Sequence, residues 1–388
     1  MRIALVYDCL YPYTGGGAER WLRALAMELA KGHDVTYVTR RHWPPGAAPR
    51  LDGARCVGVS ATGSIYTSSG RRRLMPAARF GLGVLVHFAG NRRRYDVVHC
   101  LSYPYLSLIA IRLALAGAGG GSNVWCEWLE CLSDEYWRAY AGRVGGALGR
   151  VIQRLCVRLT PAAFAFSQHT CRRLREAGFA GPLHLLGGLT DDRGAAVSDA
   201  ELAAREELVL FAGRHVPDKG IMLLPSALAI ARRRRPGLRA VIAGDGPLRP
   251  RVQADLERLG LGEVAALPGF VPAEELEGLF RRAACLVAPS IRDGYGMAVA
   301  EAAAAGLPVA VCRSPDNAAT ERVQEGVNGA IAARPAPPEL ADAICRILDQ
   351  GEALRRRTAA WYRGNREALS MRSSIERVKD IYSALDAP

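Results

Sequence analysis

Short apolar runs alternate with longer helical patterns along most of the chain. Five runs in the first half predict strands, at 2–8, 34–40, 96–101, 123–128 and 162–167. Five more follow in the second half, at 208–214, 239–246, 264–271, 285–290 and 307–311. The first helical stretch between them opens near Ala18 and ends at Gly32. This alternation is typical of parallel sheets with crossover helices, so we predict an α/β fold with two doubly wound, Rossmann-like domains.

The segment between the two series of strands reads as a linker. Residues 186–206 are rich in Gly, Asp and Ala and show no strand pattern. We therefore predict domains at 1–187 and 188–364, with a helical tail from about 365 to 388 that packs back on the first domain. Doubly wound sheets bind ligands at the carboxyl ends of their strands. We expect the two domains to face each other across a cleft.

The net charge indicates which partners the protein could bind, and the cysteine pattern indicates whether it holds zinc or disulfides. The chain has 51 Lys and Arg against 38 Asp and Glu, a net charge of +13. Such an excess indicates an anionic partner, or equally a GC-rich coding bias. The ten cysteines form no C-x-x-C pair, which argues against zinc and against a disulfide framework. The first residues start a strand without a signal-peptide core, and the longest apolar run, 80–90, is too short to span a bilayer, so we expect a cytoplasmic protein.

Three glycine-containing loops follow predicted strands and precede predicted helices. The first contains Gly15–Gly17, the second runs from Arg214 to Lys219, and the third is 291–298. A helix N-terminus presents free amides and the positive end of the dipole to an anion, and glycine lets a ligand approach the backbone. The alternative is tight-turn packing with solvated charges. Two cations five residues apart in the second loop would suit a diphosphate.

Together these loops resemble a known family. The segments "GRHVPDKG", "AGDGPLR", "PGFVP" and "PSIRDGYGMAVAEAAAAGLPVA" follow one another in the order and spacing of the retaining GT-B glycosyltransferases called family 4, and "GGGAER" near the N-terminus matches as well. The resemblance covers nearly the whole chain. It implies a UDP- or GDP-linked sugar as co-substrate, held mainly by the second domain, and an acceptor held by the first.

The resemblance also implies roles for individual residues. Arg214 and Lys219 would neutralise the donor diphosphate, and Asp293 would contact the hydroxyls of the transferred sugar. The implied nucleotide-binding set adds Gly16 and Gly17 closing over the phosphates, Val271 against the nucleobase, Gly296, Met297 and Ala298 at the phosphates, and Glu301 on the ribose. An acceptor-side role falls to His99, which is equally well interpreted as a core residue.

Several positions depart from the family pattern. Asp293 is one methylene shorter than the usual glutamate. Leu101 stands where many members carry a second histidine after His99, and Cys126 replaces another, which leaves Glu127 as a polar candidate for the cleft. No Asp-x-Asp occurs in the chain. We therefore expect no metal, with Arg214, Lys219 and a helix N-terminus supplying the positive charge.

Two arginine clusters remain, at 70–94 and 231–237. The first interleaves Arg with apolar residues, as does an amphipathic helix on an anionic membrane, and a solvated helix over a core fits it equally well. The second cluster lies at the end of a helix, where cations interact favourably with the helix dipole and need no binding partner.

The leading hypothesis is a retaining, metal-independent glycosyltransferase that acts on a hydroxyl acceptor such as a glycolipid, a polysaccharide precursor or a small natural product. The alternative is a non-catalytic protein that binds sugar nucleotides or polyanions. Nucleic acid is not an expected partner, because the arginines are not interleaved with aromatic residues as a stacking platform. A dehydrogenase is disfavoured, because the loop after the first strand lacks G-x-G-x-x-G.

Overall fold

A computed structural model describes the chain except for residues 45, 46, 48, 50, 65, 66, 68–71, 117–122, 192–196 and 386–388. The described residues form two compact units. Unit 1 comprises those of 1–67, 72–189 and 371–388, and unit 2 comprises those of 190–370.

Unit 1 is built on seven parallel strands. They are β1 (Arg2–Val6), β2 (Asp34–Arg41), β3 (Arg55–Ala61), β4 (Val97–Leu101), β5 (Val124–Trp128), β6 (Ala162–Ala165) and β7 (Leu183–Leu185). Their spatial order is β3-β2-β1-β4-β5-β6-β7. Ile3 of β1 is in register with Val35 on one side and Val97 on the other. The strand order therefore reverses between β1 and β4, which makes that point the topological switch of the sheet.

Helices cover both faces of this sheet. They are α1 (Gly17–Leu29), α2 (Leu74–Ala89), α3 (Tyr105–Leu115), α4 (Asp134–Leu159), α5 (Gln168–Glu176) and α12 (Met371–Leu385). On one face α2, α3 and α4 share a core with alternate strand residues such as Cys100 and Cys126. Neighbours in the strand point the other way, so His99 and Glu127 meet Trp21 of α1 and Tyr382 of α12.

Helix α4 folds back on itself. Gly142 has φ +75 and breaks the helix into two segments. The second segment packs on the first so closely that a Cβ on Gly149 would lie 2.3 Å from the Trp137 ring. An ion pair of 3.2 Å between Arg150 and Asp134 also joins the two segments.

Unit 2 has six parallel strands and a small two-stranded ladder. The strands are β8 (Leu208–Ala212), β9 (Arg239–Ala243), β10 (Ala265–Gly269), β11 (Cys285–Ala288), β13 (Val309–Cys312) and β15 (Gly329–Ala332), in the order β10-β9-β8-β11-β13-β15. The ladder pairs β12 (Arg292–Asp293) with β14 (Asp316–Asn317). The helices are α6 (Asp199–Ala203), α7 (Leu224–Arg234), α8 (Arg249–Arg258), α9 (Ala273–Arg282), α10 (Met297–Ala304) and α11 (Pro337–Leu369).

The predicted α/β fold with two doubly wound sheets is confirmed, and every predicted strand is present. The pattern missed β3, β7 and β15. β3 is only half-buried, β7 has three residues, and β15 has one large apolar residue among Gly and Ala, so none gives a clear apolar run. The predicted linker 186–206 contains the short helix α6.

The chain returns to unit 1 after α11. That helix continues to Leu369 within unit 2, so the segment belonging to unit 1 starts at Met371 rather than near 365. In the described part of the chain no helix is both long and apolar enough to cross a membrane.

Candidate functional site

The loop after β8 brings a lysine to the carboxyl edge of the unit 2 sheet. Residues 217–219 form a 3₁₀ turn that ends at Gly220, whose φ is +64. A Cβ on Gly220 would lie 2.0 Å from the carbonyl oxygen of Pro289. Glycine is therefore required here, and its absence of a side chain lets the loop carrying Lys219 press against the chain that follows β11.

Lys219 and Asp293 form an ion pair at this edge. The Lys219 Nζ lies 2.6 Å from Asp293 Oδ2, and the side chains are 26% and 17% exposed. The other carboxylate oxygen accepts hydrogen bonds from the backbone amides of Tyr295 (3.1 Å) and Gly296 (2.8 Å). Burial raises the pKa of Asp293, but Lys219 and the two amides lower it by more, so the net pKa lies below its ordinary value. Asp293 is ionised at neutral pH.

Helix α10 begins directly beside this pair. Gly296 precedes it with φ +87, and a Cβ there would lie 2.5 Å from the Cβ of Ala319. Gly296, as a glycine, has no side chain with which to cap the helix. The first-turn residues Met297 and Ala298 therefore present the positive end of the helix dipole. Glu301 is one turn further along and is partly buried.

Backbone and amide contacts hold these loops in place. The Asn317 side chain donates to the carbonyl oxygens of Ser290 and Cys312, both at 2.9 Å, and accepts from the Ala319 amide. The Ile291 amide donates to the Asp218 carbonyl at 2.9 Å. Asn317 was not predicted as a positioning residue. Its one signal was a polar side chain shortly after the buried strand β13.

The remaining predicted residues of unit 2 lie at the same edge of the sheet. Arg214 is exposed two residues after β8. Val271 follows β10 and is buried, beside Phe270, which is 82% exposed. Gly244, with φ +119, allows the loop after β9 to approach the loop after β8, since a Cβ on it would lie 1.9 Å from the Gly213 carbonyl oxygen. The structure thus gathers Arg214, Val271, the Lys219–Asp293 pair and the start of α10 at one edge.

His215 lies beneath this edge. Its side chain is fully buried, and its ring packs against Phe211 with centroids 5.9 Å apart. Its backbone joins two loops, because its amide donates to the Asp245 carbonyl and its carbonyl accepts from the Leu248 amide. Burial lowers the pKa of the imidazole, although Asp245 opposes the effect. His215 is therefore neutral at pH 7.

The predicted glycines of unit 1 open α1. Gly17 is the first residue of the helix, and Gly16 precedes it with an extended backbone. The Glu19 carboxylate lies close to this glycine, because a Cβ on Gly16 would be 2.2 Å from one of its oxygens. Gly16 likewise has no side chain with which to cap α1.

His99 lies in the core of unit 1. It is fully buried, with Nε2 3.0 Å from Glu127 Oε2 and Nδ1 2.7 Å from the Tyr382 hydroxyl. The Trp21 Nε1 donates to the same Glu127 oxygen at 2.7 Å. A hydrogen on Nε2 satisfies every one of these contacts. The arrangement matches the core interpretation of His99.

Glu127, the polar residue predicted for the cleft, is buried in the same network. Its Oε1 atom has no hydrogen-bond partner among the described residues. Trp21 and Tyr382 are far from it in the chain, so their part in the network was not predicted.

A second buried cluster follows β1 at the switch point. Asp8 forms an ion pair with Arg72, whose guanidinium lies 4.7 Å from the centre of the Tyr103 ring. Arg40 donates to the Asp8 carbonyl at 2.8 Å. Arg72 belongs to the first predicted arginine cluster, but it faces Asp8 instead of solvent. Residues 70 and 71 of that cluster lie outside the described part of the chain.

Two family models match the sequence. The model for glycosyl transferases group 1 matches residues 195–363, and the model for the glycosyl transferase 4-like domain matches residues 16–187. The chain belongs to the group 1 glycosyltransferase family. These matches confirm the resemblance to the family. The two models also divide the chain where the structure divides it into two units.

Curated relatives match part of the chain. One is the alpha-D-kanosaminyltransferase of Streptomyces kanamyceticus, 30% identical over 39% of this chain and 39% of the relative. Another is the D-inositol 3-phosphate glycosyltransferase of Streptomyces griseus subsp. griseus, 30% identical over 51% of this chain and 43% of the relative. The chain thus spans less than half the length of these relatives.

Solved structures share the fold over nearly the whole chain. Sucrose-phosphate synthase from Thermosynechococcus elongatus superimposes with a TM-score of 0.81 at 20% identity, covering 99% of this chain and 98% of that chain. Anabaena HepE, in complex with UDP and glucose, gives 0.73 at 18% identity and covers 99% of both chains. The architecture is GT-B, as predicted.

Proposed function

We propose that this chain transfers a sugar from a nucleotide-diphosphate sugar to an acceptor hydroxyl. The observation that carries the proposal is the Lys219–Asp293 ion pair, 2.6 Å long, beside the start of α10. A cation, an anion and a helix dipole meet there at the carboxyl edge of a parallel sheet, where such folds bind nucleotides.

The leaving group explains why this chemistry suits the site. Breaking the bond between sugar and phosphate leaves a nucleoside diphosphate with growing negative charge. In the proposal Lys219, Arg214 and the amides of Met297 and Ala298 stabilise that charge. Lys219 has N–H groups beyond the one that meets Asp293, so it can bind a phosphate oxygen without releasing the carboxylate. Because the protein supplies these positive groups, we propose that the reaction needs no metal.

The remaining contacts of the donor follow the same edge. Asp293 would accept hydrogen bonds from hydroxyls of the transferred sugar, and Glu301 from the ribose. Val271 would lie against the nucleobase. Asp293 is fixed by Lys219 and two amides, so its short side chain offers the sugar a rigid acceptor.

The relatives support a sugar nucleotide as the donor. HepE is described with UDP and glucose, and two relatives are named as sugar transferases. We propose a UDP- or GDP-linked sugar and transfer with retention of the anomeric configuration. The acceptor class stays open among glycolipids, polysaccharide precursors and small natural products.

Thermal stabilisation by a panel of UDP- and GDP-sugars tests the donor assignment. A ligand that binds only the folded protein raises its apparent stability by mass action, by about 2.7 kcal/mol at a hundred times Kd. We expect one nucleotide series to raise the melting temperature, and the free nucleoside diphosphate to do so as well. Stabilisation by none of them would contradict the proposal. Stabilisation without transfer to any acceptor tested would favour the non-catalytic alternative.

Product analysis tests the stereochemistry. The anomeric configuration of the first product, followed by proton NMR, should match that of the donor. Activity measured after exhaustive chelation and again after adding magnesium tests the metal proposal, and we expect the two rates to agree.

A further inference from the structure

One face of unit 1 carries most of the exposed apolar side chains. Of the fifteen large apolar residues exposed in the described part of the chain, ten lie on α2, α3 and α4. Exposed apolar residues scattered singly need no explanation, but a set concentrated on adjacent helices marks an interaction surface.

Helix α4 carries the most regular part of this surface. Val144, Leu148, Val151 and Leu155 follow one another at steps of four, three and four residues, and are 85%, 60%, 63% and 44% exposed. These steps place all four on one stripe of the helix. The opposite side of the same segment is the packed one, where Gly149 lies against Trp137. The stripe points away from the core.

Helix α2 continues the surface. Leu74, Met75, Leu82 and Val86 are each more than 60% exposed. The helix packs tightly on α3, since a Cβ on Gly81 would lie 3.0 Å from the Cβ of Leu106. The apolar face is therefore shared by neighbouring helices.

The charge on these helices is predominantly positive. Within α2, α3 and α4 there are seven arginines and two acids. Both acids stand in the first turn of α4, and one of them, Asp134, is already paired with Arg150 and Arg154. Arg143 and Arg158 are exposed near the two ends of the apolar stripe.

We propose that this face docks on an anionic lipid bilayer. The apolar stripe would enter the boundary between headgroups and acyl chains, while the arginines on its flanks bind lipid phosphates. A second copy of the chain fits less well, because a symmetric pair would place arginine-rich faces opposite each other. The inference goes beyond the proposed function and does not depend on it, since vesicle binding requires no turnover.

Vesicle flotation tests the proposal with a matched pair of variants. Leu148→Glu places a charge in the stripe of α4. Leu385→Glu makes the same substitution on α12, at a residue 42% exposed outside the three helices. We expect wild type to float with phosphatidylcholine vesicles containing about a quarter phosphatidylglycerol, and not with pure phosphatidylcholine. Leu148→Glu should weaken partitioning by about tenfold, whereas Leu385→Glu should change it little.

Three results would overturn the proposal. Wild type that fails to float with the anionic vesicles at low salt refutes membrane docking. Equal loss of vesicle binding in the two variants, with melting temperatures that show both are folded, would mean that the stripe does not contact the bilayer. A dimer in the absence of lipid that Leu148→Glu dissociates assigns the face to a second copy. Donor-dependent thermal stabilisation, measured in parallel, reports on the proposed function independently of these outcomes.

Discussion

The Lys219 ammonium lies 2.6 Å from one carboxylate oxygen of Asp293, and the other oxygen accepts the amides of Tyr295 and Gly296. The two residues are 74 positions apart in the chain. They meet because the loops after β8 and β11 leave the same edge of the sheet. The pair positions a cation and an anion at the start of a helix, and both side chains remain partly exposed to a ligand.

Asp293→Glu tests whether the length of this acidic side chain affects the choice of donor sugar. The longer side chain keeps the charge, but it cannot hold the same distances to Lys219 and to both amides. We expect the ratio of kcat/KM between two accepted nucleotide sugars that differ at one hydroxyl to change by about tenfold, since one hydrogen bond to a charged group is worth about 1.5–3 kcal/mol. A uniform loss for both donors would place the effect on the diphosphate rather than on the sugar.

Gly296→Ala should destabilise unit 2 and weaken donor binding. The backbone at Gly296 is left-handed, and the new methyl group would lie 2.5 Å from the Ala319 Cβ. We expect a loss of about 1–3 kcal/mol in the free energy of unfolding, measured by urea denaturation. Gly364→Ala is the matched control, because Gly364 is inside α11 with open space around it and no positive φ. There the substitution should raise the free energy of unfolding by about 0.5–1 kcal/mol. Equal losses of stability at both sites would contradict a specific requirement for glycine at position 296.

We expect the buried His215 to make the protein less stable as the pH falls. Burial lowers the pKa of the folded imidazole below its ordinary value of 6.5. As the pH falls through about 6.5, the unfolded chain takes up a proton that folded His215 does not, so the free energy of unfolding decreases. His215→Phe removes this contribution. Urea denaturation from about pH 7 to about pH 5 should show a shallower loss in the variant than in wild type, and parallel profiles would argue against it.

Tyr382→Phe separates the two interpretations of His99. It removes the hydroxyl that lies 2.7 Å from the His99 Nδ1 and leaves the ring in place. If the network serves the core, unit 1 should lose about 1 kcal/mol of stability while kcat and KM stay near wild type. Tyr13→Phe, at a residue 45% exposed, is the control with the same atom removed. A large drop in kcat without loss of stability would assign the network to catalysis instead.

The sequence predicted the parts of the molecule that depend on local pattern. Strands such as β4 and β5 are buried runs of five residues, and their apolar character is visible without tertiary information. The motif segments placed Lys219 and Asp293 in one site. Their direct ion pair was not predictable, because the distance depends on how Gly220 packs against Pro289.

Other contacts depended on packing between distant elements. The Tyr382–His99 contact joins residues 283 positions apart, and no periodicity signals it. Arg72 belongs to an arginine cluster that predicted a surface helix, yet in the structure it forms an ion pair with the buried Asp8. The strand β3 was missed because its central residues are only half-buried, so the run carries no strong apolar pattern.

Comparison of Lys219→Ala with Lys379→Ala tests whether Lys219 binds the donor diphosphate. The chain has only three lysines, and Lys379 is an exposed one on α12, so the substitution is identical in chemistry. Calorimetric titration with the nucleoside diphosphate that stabilises wild type gives the affinity of each variant. We predict that Lys219→Ala weakens binding by at least about tenfold, because a charge-assisted bond to phosphate is worth about 1.5–3 kcal/mol, while Lys379→Ala binds as wild type does. Equal affinity in both variants, with both folded, would contradict the assignment of this site to the donor diphosphate.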